Sequence, residues 1–182
     1  HLYPSYDPAK AQALLQKALR AKKLPPLTLV FKSHTLDKQI AQLLQQQWQN
    51  VLGIHVELQE TDAKTHKELL LSRNYDLSLS NWIAQVNDPM NILERFKDQE
   101  NTKNYPAWQN EGFAQLVQEA LQTTQNDKRL EAIESAEEIL ASEMPLAPIY
   151  HWTSFSLCQP RVQNLYTTPT GGVLFERSWI NE

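Results

Sequence analysis

The feature that most limits how this chain folds lies between residues 27 and 79, where short β-prone apolar segments alternate with amphipathic helical ones. Leu27, Leu29, Val30 and Phe31 make a compact apolar run over 27–31, suited to a strand covered on both faces. Ile54, Val56 and Leu58 alternate with polar neighbours as a second strand, and Tyr75, Leu77 and Leu79 alternate with Asp76, Ser78 and Ser80 as a third. Between the first two, Ile40, Leu43, Leu44, Trp48, Val51 and Leu52 recur at helical spacing from Thr35 onward, and Gly53 stands where a left-handed C-cap belongs. Residues 63–72 read as the helix between the second and third strands. Antiparallel neighbours need only a tight turn, whereas connectors of helix length favour parallel strands with right-handed crossovers. The expected fold class is α/β, with a small βαβ-based sheet flanked by helices.

Helical patterns lie on both sides of this unit. Ala11, Leu14, Leu15, Ala18 and Leu19 share one stripe over 9–19, with Asp7 as N-cap, Pro8 at the first position and Pro25-Pro26 as the stop. After the third strand, Asp88-Pro89 starts a short helix running to Phe96, and a polar loop follows over 97–106. Phe113, Leu116, Val117, Ala120 and Leu121 mark one further helix, and Leu130, Ile133, Glu137 and Leu140 mark another that Met144-Pro145 ends. Residues 146–157 have the aromatic and β-branched content of a strand, with Pro148 pointing to an edge position. The tail carries Gly171-Gly172 and then apolar residues over 173–180 that need a partner surface. One domain is expected across 1–182.

Composition removes several function classes. With 41% hydrophobic and 21% charged residues in 182, the chain has the balance of a globular domain. Its net charge is −4 and its Lys and Arg are scattered, so nucleic acid is not an expected partner. No apolar run reaches the roughly 20 residues of a transmembrane helix. No signal-peptide pattern opens the chain at His1, as expected of an excised domain whose targeting segment lies elsewhere. The single Cys158 has no disulfide partner and is expected as a small buried hydrophobe.

No metal or other cofactor is expected either. His1, His34, His55, His66 and His151 lack ligand spacing, Cys158 has no evident base, and neither a nucleophile elbow nor a phosphate-cradling glycine loop occurs among four glycines. The acidic groupings Glu137-Glu138 and Glu57, Glu60 and Asp62 read as solvated helix face and strand end. An enzyme is therefore the less favoured alternative.

In open α/β layers, ligands bind beyond the carboxyl ends of the strands. The segment Trp82-Ile83-Ala84-Gln85-Val86-Asn87-Asp88-Pro89 leaves the third strand there and combines a large aromatic with several hydrogen-bonding groups. The ligand-facing edge is placed at Trp82, Ile83, Ala84, Gln85 and Asn87. The competing reading packs Trp82 into the core and leaves Asn87-Asp88-Pro89 as a helix cap alone.

Here the sequence resembles a known family, the solute-binding proteins of oligopeptide and dipeptide ABC importers (extracellular solute-binding protein family 5). Their C-terminal lobe carries a Trp, a polar turn and an Asn/Asp-Asp/Glu-Pro element opening a helix, matched by Trp82 through Pro89. Tyr6-Asp7-Pro8-Ala9-Lys10-Ala11 resembles the helix that opens this lobe, and Ile54-His55-Val56 and Tyr75-Asp76-Leu77 resemble two of its strands. Glu137-Glu138-Ile139-Leu140 and Met144-Pro145-Leu146-Ala147-Pro148-Ile149-Tyr150 resemble its late helix and strand.

The resemblance implies a periplasmic-binding-protein-like (type II) C-terminal lobe of a larger two-lobed protein, whose N-terminal lobe is missing from this chain. It implies capture of oligopeptides or peptide-like solutes, delivery to an ABC transporter permease, and a periplasmic or extracytoplasmic location with a lipid anchor as one form. The alternatives are a non-peptide solute, such as a sugar or metal complex, and ligand sensing for a membrane partner. Peptide-binding members are similar in placing an Asp three residues after the Trp, where it pairs with the peptide α-ammonium. This chain has Gln85 there, whose neutral amide accepts a hydrogen bond but does not offset a buried positive charge.

Overall fold

A computed structural model describes residues 3–20, 23–153 and 155–181. His1, Ser154 and Glu182 lie outside the described residues. The chain divides into two compact units, one formed by residues up to Asn81 together with Asp98–Gln109, the other by Trp82–Lys97 with residues from Asn110 onward.

The first unit is built on a parallel sheet of β1 (Leu27–Lys32), β2 (Val56–Thr61) and β3 (Leu77–Ser78), in the order β2-β1-β3. Leu27 pairs with Val56 and Lys32 with Thr61, so β1 and β2 run in register over six residues. β1 is central and covered on both sides. Leu29 and Phe31 join Ala41, Val56 and Leu79 in a buried cluster, against which Ile40, Leu44 and Trp48 pack from α2 (Thr35–Leu52). Val30, also buried, points to the opposite face with its pair partner Ser78. There Ser78 Oγ lies 3.1 Å from Nε2 of His66, a buried residue of α3 (Ala63–Ser72).

Local sequence sets the helix limits. α1 (Pro8–Leu19) starts with Pro8 at its first position and the Asp7 carboxylate accepting from Lys10 N. It ends at Arg20, in a left-handed conformation, before the prolines are reached. α2 ends at Gly53 (φ +67°), whose N–H donates to Gln49 O while Ile54 N–H donates to Trp48 O, a paired closure that favours a residue without Cβ. Asp62 caps α3 through Lys64 N and Thr65 N. β3 is shorter than the alternation predicts. At its amino side the Thr28 N–H is taken by the Asp76 carboxylate, so a side chain replaces a ladder carbonyl.

The second unit centres on α5 (Glu111–Gln122) and α6 (Asn126–Glu143), which pack on each other. Phe113, Val117 and Ala120 of α5 and Ala132, Ile133, Ala136 and Leu140 of α6 are buried. Leu121 and Leu130, predicted to share those faces, are exposed. Asn110 caps α5 by accepting from Phe113 N, and its amide donates to Glu143 at the far end of α6. A short helix α4 (Met90–Leu93), continued by a 3-10 turn (Glu94–Phe96), lies against both and buries Met90, Leu93 and Phe96.

Residues 146–153 and 155–157 are not a strand. Pro145 and Pro148 remove two backbone donors, and among the described residues the stretch has no ladder partner; Phe155 and Leu157 are 91% and 104% exposed. The tail forms two small antiparallel pairs instead, β4 (Val162–Gln163) with β7 (Trp179–Ile180) and β5 (Tyr166–Thr167) with β6 (Val173–Leu174). Cys158 is exposed rather than buried, because its surroundings never close into a core.

The sheet can be probed on each of its faces. Phe31→Ala removes a fully buried ring from the cluster and should cost about 3–5 kcal/mol in urea unfolding. Burial, reinforced by Lys32 and opposed by Asp37 and a backbone contact at Leu79, holds the His66 pKa below its usual 6.5. A depressed folded-state value means that the His66 contribution is complete above pH ~6.5 and is lost as pH falls below it, because the unfolded chain takes up the proton first. Between pH 7.5 and 5.5, His66→Gln should therefore lose less stability than the wild type.

Candidate functional site

The carboxyl ends of β1 and β3 are joined by polar contacts within the first unit. Lys32 Nζ donates to Asn81 Oδ1 at 3.2 Å, and the Leu79 N–H donates to Val30 O at 3.0 Å, extending the β1/β3 contact beyond the two-residue strand. Glu60 pairs with Lys38 Nζ at 2.9 Å and accepts from Ser33 Oγ; these contacts, Lys38 first, hold the Glu60 carboxyl below the usual range. Asp62 is likewise held low by the Thr65 hydroxyl. Both acids are thus committed to structural contacts.

The chain first passes from one unit to the other between Asn81 and Trp82. Within the second unit, segment 82–89 is organised by α4 and the turn after it. One carboxamide oxygen, Asn91 Oδ1, accepts from the Trp82 indole N–H at 3.3 Å and from the Gln85 backbone N–H at 3.1 Å. The Arg95 guanidinium stacks over the Trp82 ring, 3.8 Å from its centroid, within cation–π range. Trp82 is half-buried, so neither pure core nor free surface describes it. Ile83 is 65% exposed; Gln85, Val86 and Asn87 are exposed, and Ala84 is half-buried.

Asp88 does two jobs. One carboxylate oxygen accepts from Met90 N at 2.9 Å, opening α4, and the pair of oxygens receives Arg129 Nη2 at 2.9 and 2.7 Å. The bond from Arg129 above all, opposed by burial and helped by the Met90 N–H and the Arg129 charge, holds its pKa below the usual 3.8. The cap is legible from the sequence. Arg129 is not, because it stands 41 residues away at the start of α6 and no local pattern links the two. Asn91 and Arg95 also escape a sequence reading, since nothing in their spacing distinguishes them from ordinary helix-surface residues. Among the described residues no cluster of three His, Cys, Asp or Glu side chains could hold a metal ion.

A sequence profile of the bacterial extracellular solute-binding proteins, family 5 (its middle region), matches residues 1–104. The chain belongs to this family. Its relatives in family 5 include the oligopeptide-binding protein OppA of Bacillus subtilis (strain 168), 31% identical over 180 residues, or 96% of this chain and 33% of the relative. The probable deoxycholate-binding periplasmic protein YgiS of Escherichia coli (strain K12) is 30% identical over 155 residues, covering 85% of this chain and 29% of the relative. Among solved structures, the Escherichia coli murein tripeptide binding protein MppA superimposes with a TM-score of 0.77 at 26% identity, over 86% of this chain and 31% of that one. The fold is accordingly that of type II periplasmic-binding-protein-like members of family 5. The chain spans about a third of the length of the curated relatives it matches.

Asp88→Asn keeps a cap acceptor but removes the charge facing Arg129, a partly exposed pair, and should cost about 0.5–1 kcal/mol. Asp88→Ala should cost about 1 kcal/mol more by deleting the cap as well. The ionic part is present above pH ~3.8 and fades as pH falls through the depressed folded-state value, so the unfolding curves of the wild type and of the Asp88→Asn variant should converge in acid.

Proposed function

We propose that this chain is the C-terminal lobe of a larger two-lobed extracytoplasmic solute-binding protein. That protein captures oligopeptides or peptide-like solutes and delivers them to an ABC transporter. The observation that carries the reading is the likeness to an oligopeptide-binding protein along nearly the entire chain. Trp82, Ile83, Ala84, Gln85 and Asn87 form the ligand-facing wall of this lobe. Support comes from the exposure of Ile83, Gln85 and Asn87 on a segment whose turn is nevertheless fixed by Asn91. The missing N-terminal lobe supplies the opposing wall, and the two close over the solute by a hinge motion. Apolar side chains left exposed over 149–157 fit a segment that finds its partner surface in the rest of the parent protein. The lobe works by binding, with no bond made or broken. The parent is periplasmic or held extracytoplasmically by a lipid anchor.

A second reading, a solute without a free amino terminus, is favoured by the acid inventory of the segment. Asp88 is the sole acidic residue between Trp82 and Asn91, and Arg129 engages it. A free α-ammonium brought to this wall would meet a neutral Gln85, and an uncompensated buried charge is strongly unfavourable. Blocked or modified peptides fit this wall better, and a relative named for probable deoxycholate binding fits the same direction.

Native mass spectrometry of the two-lobed parent, purified from its own host, should recover a retained solute of peptide or peptide-like mass. In titration calorimetry with that solute, Trp82→Ala should weaken binding by about tenfold or more, as expected for loss of a buried aromatic contact. Gln85→Asp should shift preference towards free-amine peptides over N-acetylated ones. Unchanged affinity in both Trp82→Ala and Gln85→Ala would remove the wall from this segment.

A further inference from the structure

We infer that Asn91 is the positioning residue of the ligand-facing segment, acting through Trp82 and Gln85; this deepens the proposed function and rests on it. The geometry is that of a pin. Asn91 Oδ1 has two lone pairs, and both are used: one by the Trp82 indole N–H at 3.3 Å, the other by the Gln85 backbone N–H at 3.1 Å. Because both partners are donors, the opposite amide orientation would set N–H against N–H, so the oxygen is held on this side. A single atom thereby fixes the rotation of the aromatic ring and the distance between the two ends of the turn 82–85.

The anchor itself does not move easily. Asn91 sits in α4 between Met90, which is buried and whose N–H is capped by Asp88, and Leu93, which is also buried. From the following 3-10 turn, Arg95 covers one face of the Trp82 ring at 3.8 Å, and a solute does not stack on that face while the guanidinium is there. Ile83 and Ala84, bridged between the two pinned positions, are carried as a preformed turn with Ile83 turned to solvent. A wall fixed before the solute arrives loses less conformational freedom on binding, which is how a residue that need not touch the solute raises its affinity.

The test uses the intact two-lobed protein and two synthetic probes, a pool of free-amine tri- to pentapeptides and the same pool N-acetylated. Asn91→Leu, close in volume but without the acceptor, should weaken binding of the preferred pool by about tenfold, within the range for losing the two hydrogen bonds it accepts. Asn91→Asp, which keeps an acceptor oxygen, should stay within about threefold of wild type on the same scale. In a Trp82→Ala background, Asn91→Leu should cost clearly less than in the wild type, because the Trp82 contact is already gone and only the Gln85 contact remains to be lost. Independently of any probe, Asn91→Leu should shift the Trp82 indole resonance and speed hydrogen exchange at the Gln85 amide, and Asn91→Asp should restore both.

Failure of the wild type to bind either pool would sink the functional reading together with this one. Binding that Trp82→Ala leaves intact would sink the placement of the wall. Binding that Trp82→Ala weakens but Asn91→Leu does not would leave the wall standing and overturn the role of Asn91 alone. Equal losses from Asn91→Leu with Trp82 present or absent would also overturn it, reducing Asn91 to a general structural contact.

Discussion

Central burial of β1 is the constraint on which the first unit rests. Its residues are covered from both sides, Leu29 and Phe31 by the α2 cluster and Val30 on the opposite face. A strand in that position has no solvent face to which its side chains can escape, so a register shift of one residue would exchange two well-packed layers at once. Parallel pairing on both edges follows, with β2 and β3 brought alongside by crossovers through α2 and α3. The carboxyl ends of β1 and β3 then carry Lys32 and Asn81 close enough to hydrogen-bond. The chain continues from there into segment 82–89.

The second unit solves a different problem. The proposed ligand-facing wall has to expose polar and apolar groups without letting them wander. Here the exposed residues are bracketed by contacts to one short helix, through Asn91 to Trp82 and Gln85 and through the Asp88 carboxylate to the start of α4. Arg129 ties that carboxylate to α6, so the long helix and the short one share a charge pair. Packing of Met90, Leu93 and Phe96 supplies rigidity, and the polar contacts supply direction. Neither alone would hold an aromatic ring half-exposed in one orientation.

The fold is largely readable from residue order because its signals are local. Asp7-Pro8 and Gly53 mark helix ends through backbone chemistry that acts within one turn, and the alternating apolar runs mark strands through a period of two. Reading fails where a segment's state depends on something distant. Residues 146–157 have strand composition, yet composition does not provide an edge to pair with, and the prolines at 145 and 148 remove donors that pairing would use. Leu121 and Leu130 keep helical spacing but fall at the margins of the α5/α6 contact, where a modest rotation of either helix decides burial. Cys158 departs from the average behaviour of its residue type, and its exposed position reflects the open surroundings of the tail.

Sequence by itself determined the parallel βαβαβ order, the limits of the main helices and the stretch in which an aromatic and several polar groups sit together after the third strand. Those depend on periodicity and on caps, which short-range sterics and backbone hydrogen bonding enforce. Only the tertiary structure decided that Trp82 is half-buried with a guanidinium on one face, that Asn91 pins it to Gln85, and that the Asp88 charge belongs to Arg129. Each of these is a contact between residues whose separation in the chain has no fixed relation to their separation in space. Packing, not local pattern, brings them within reach.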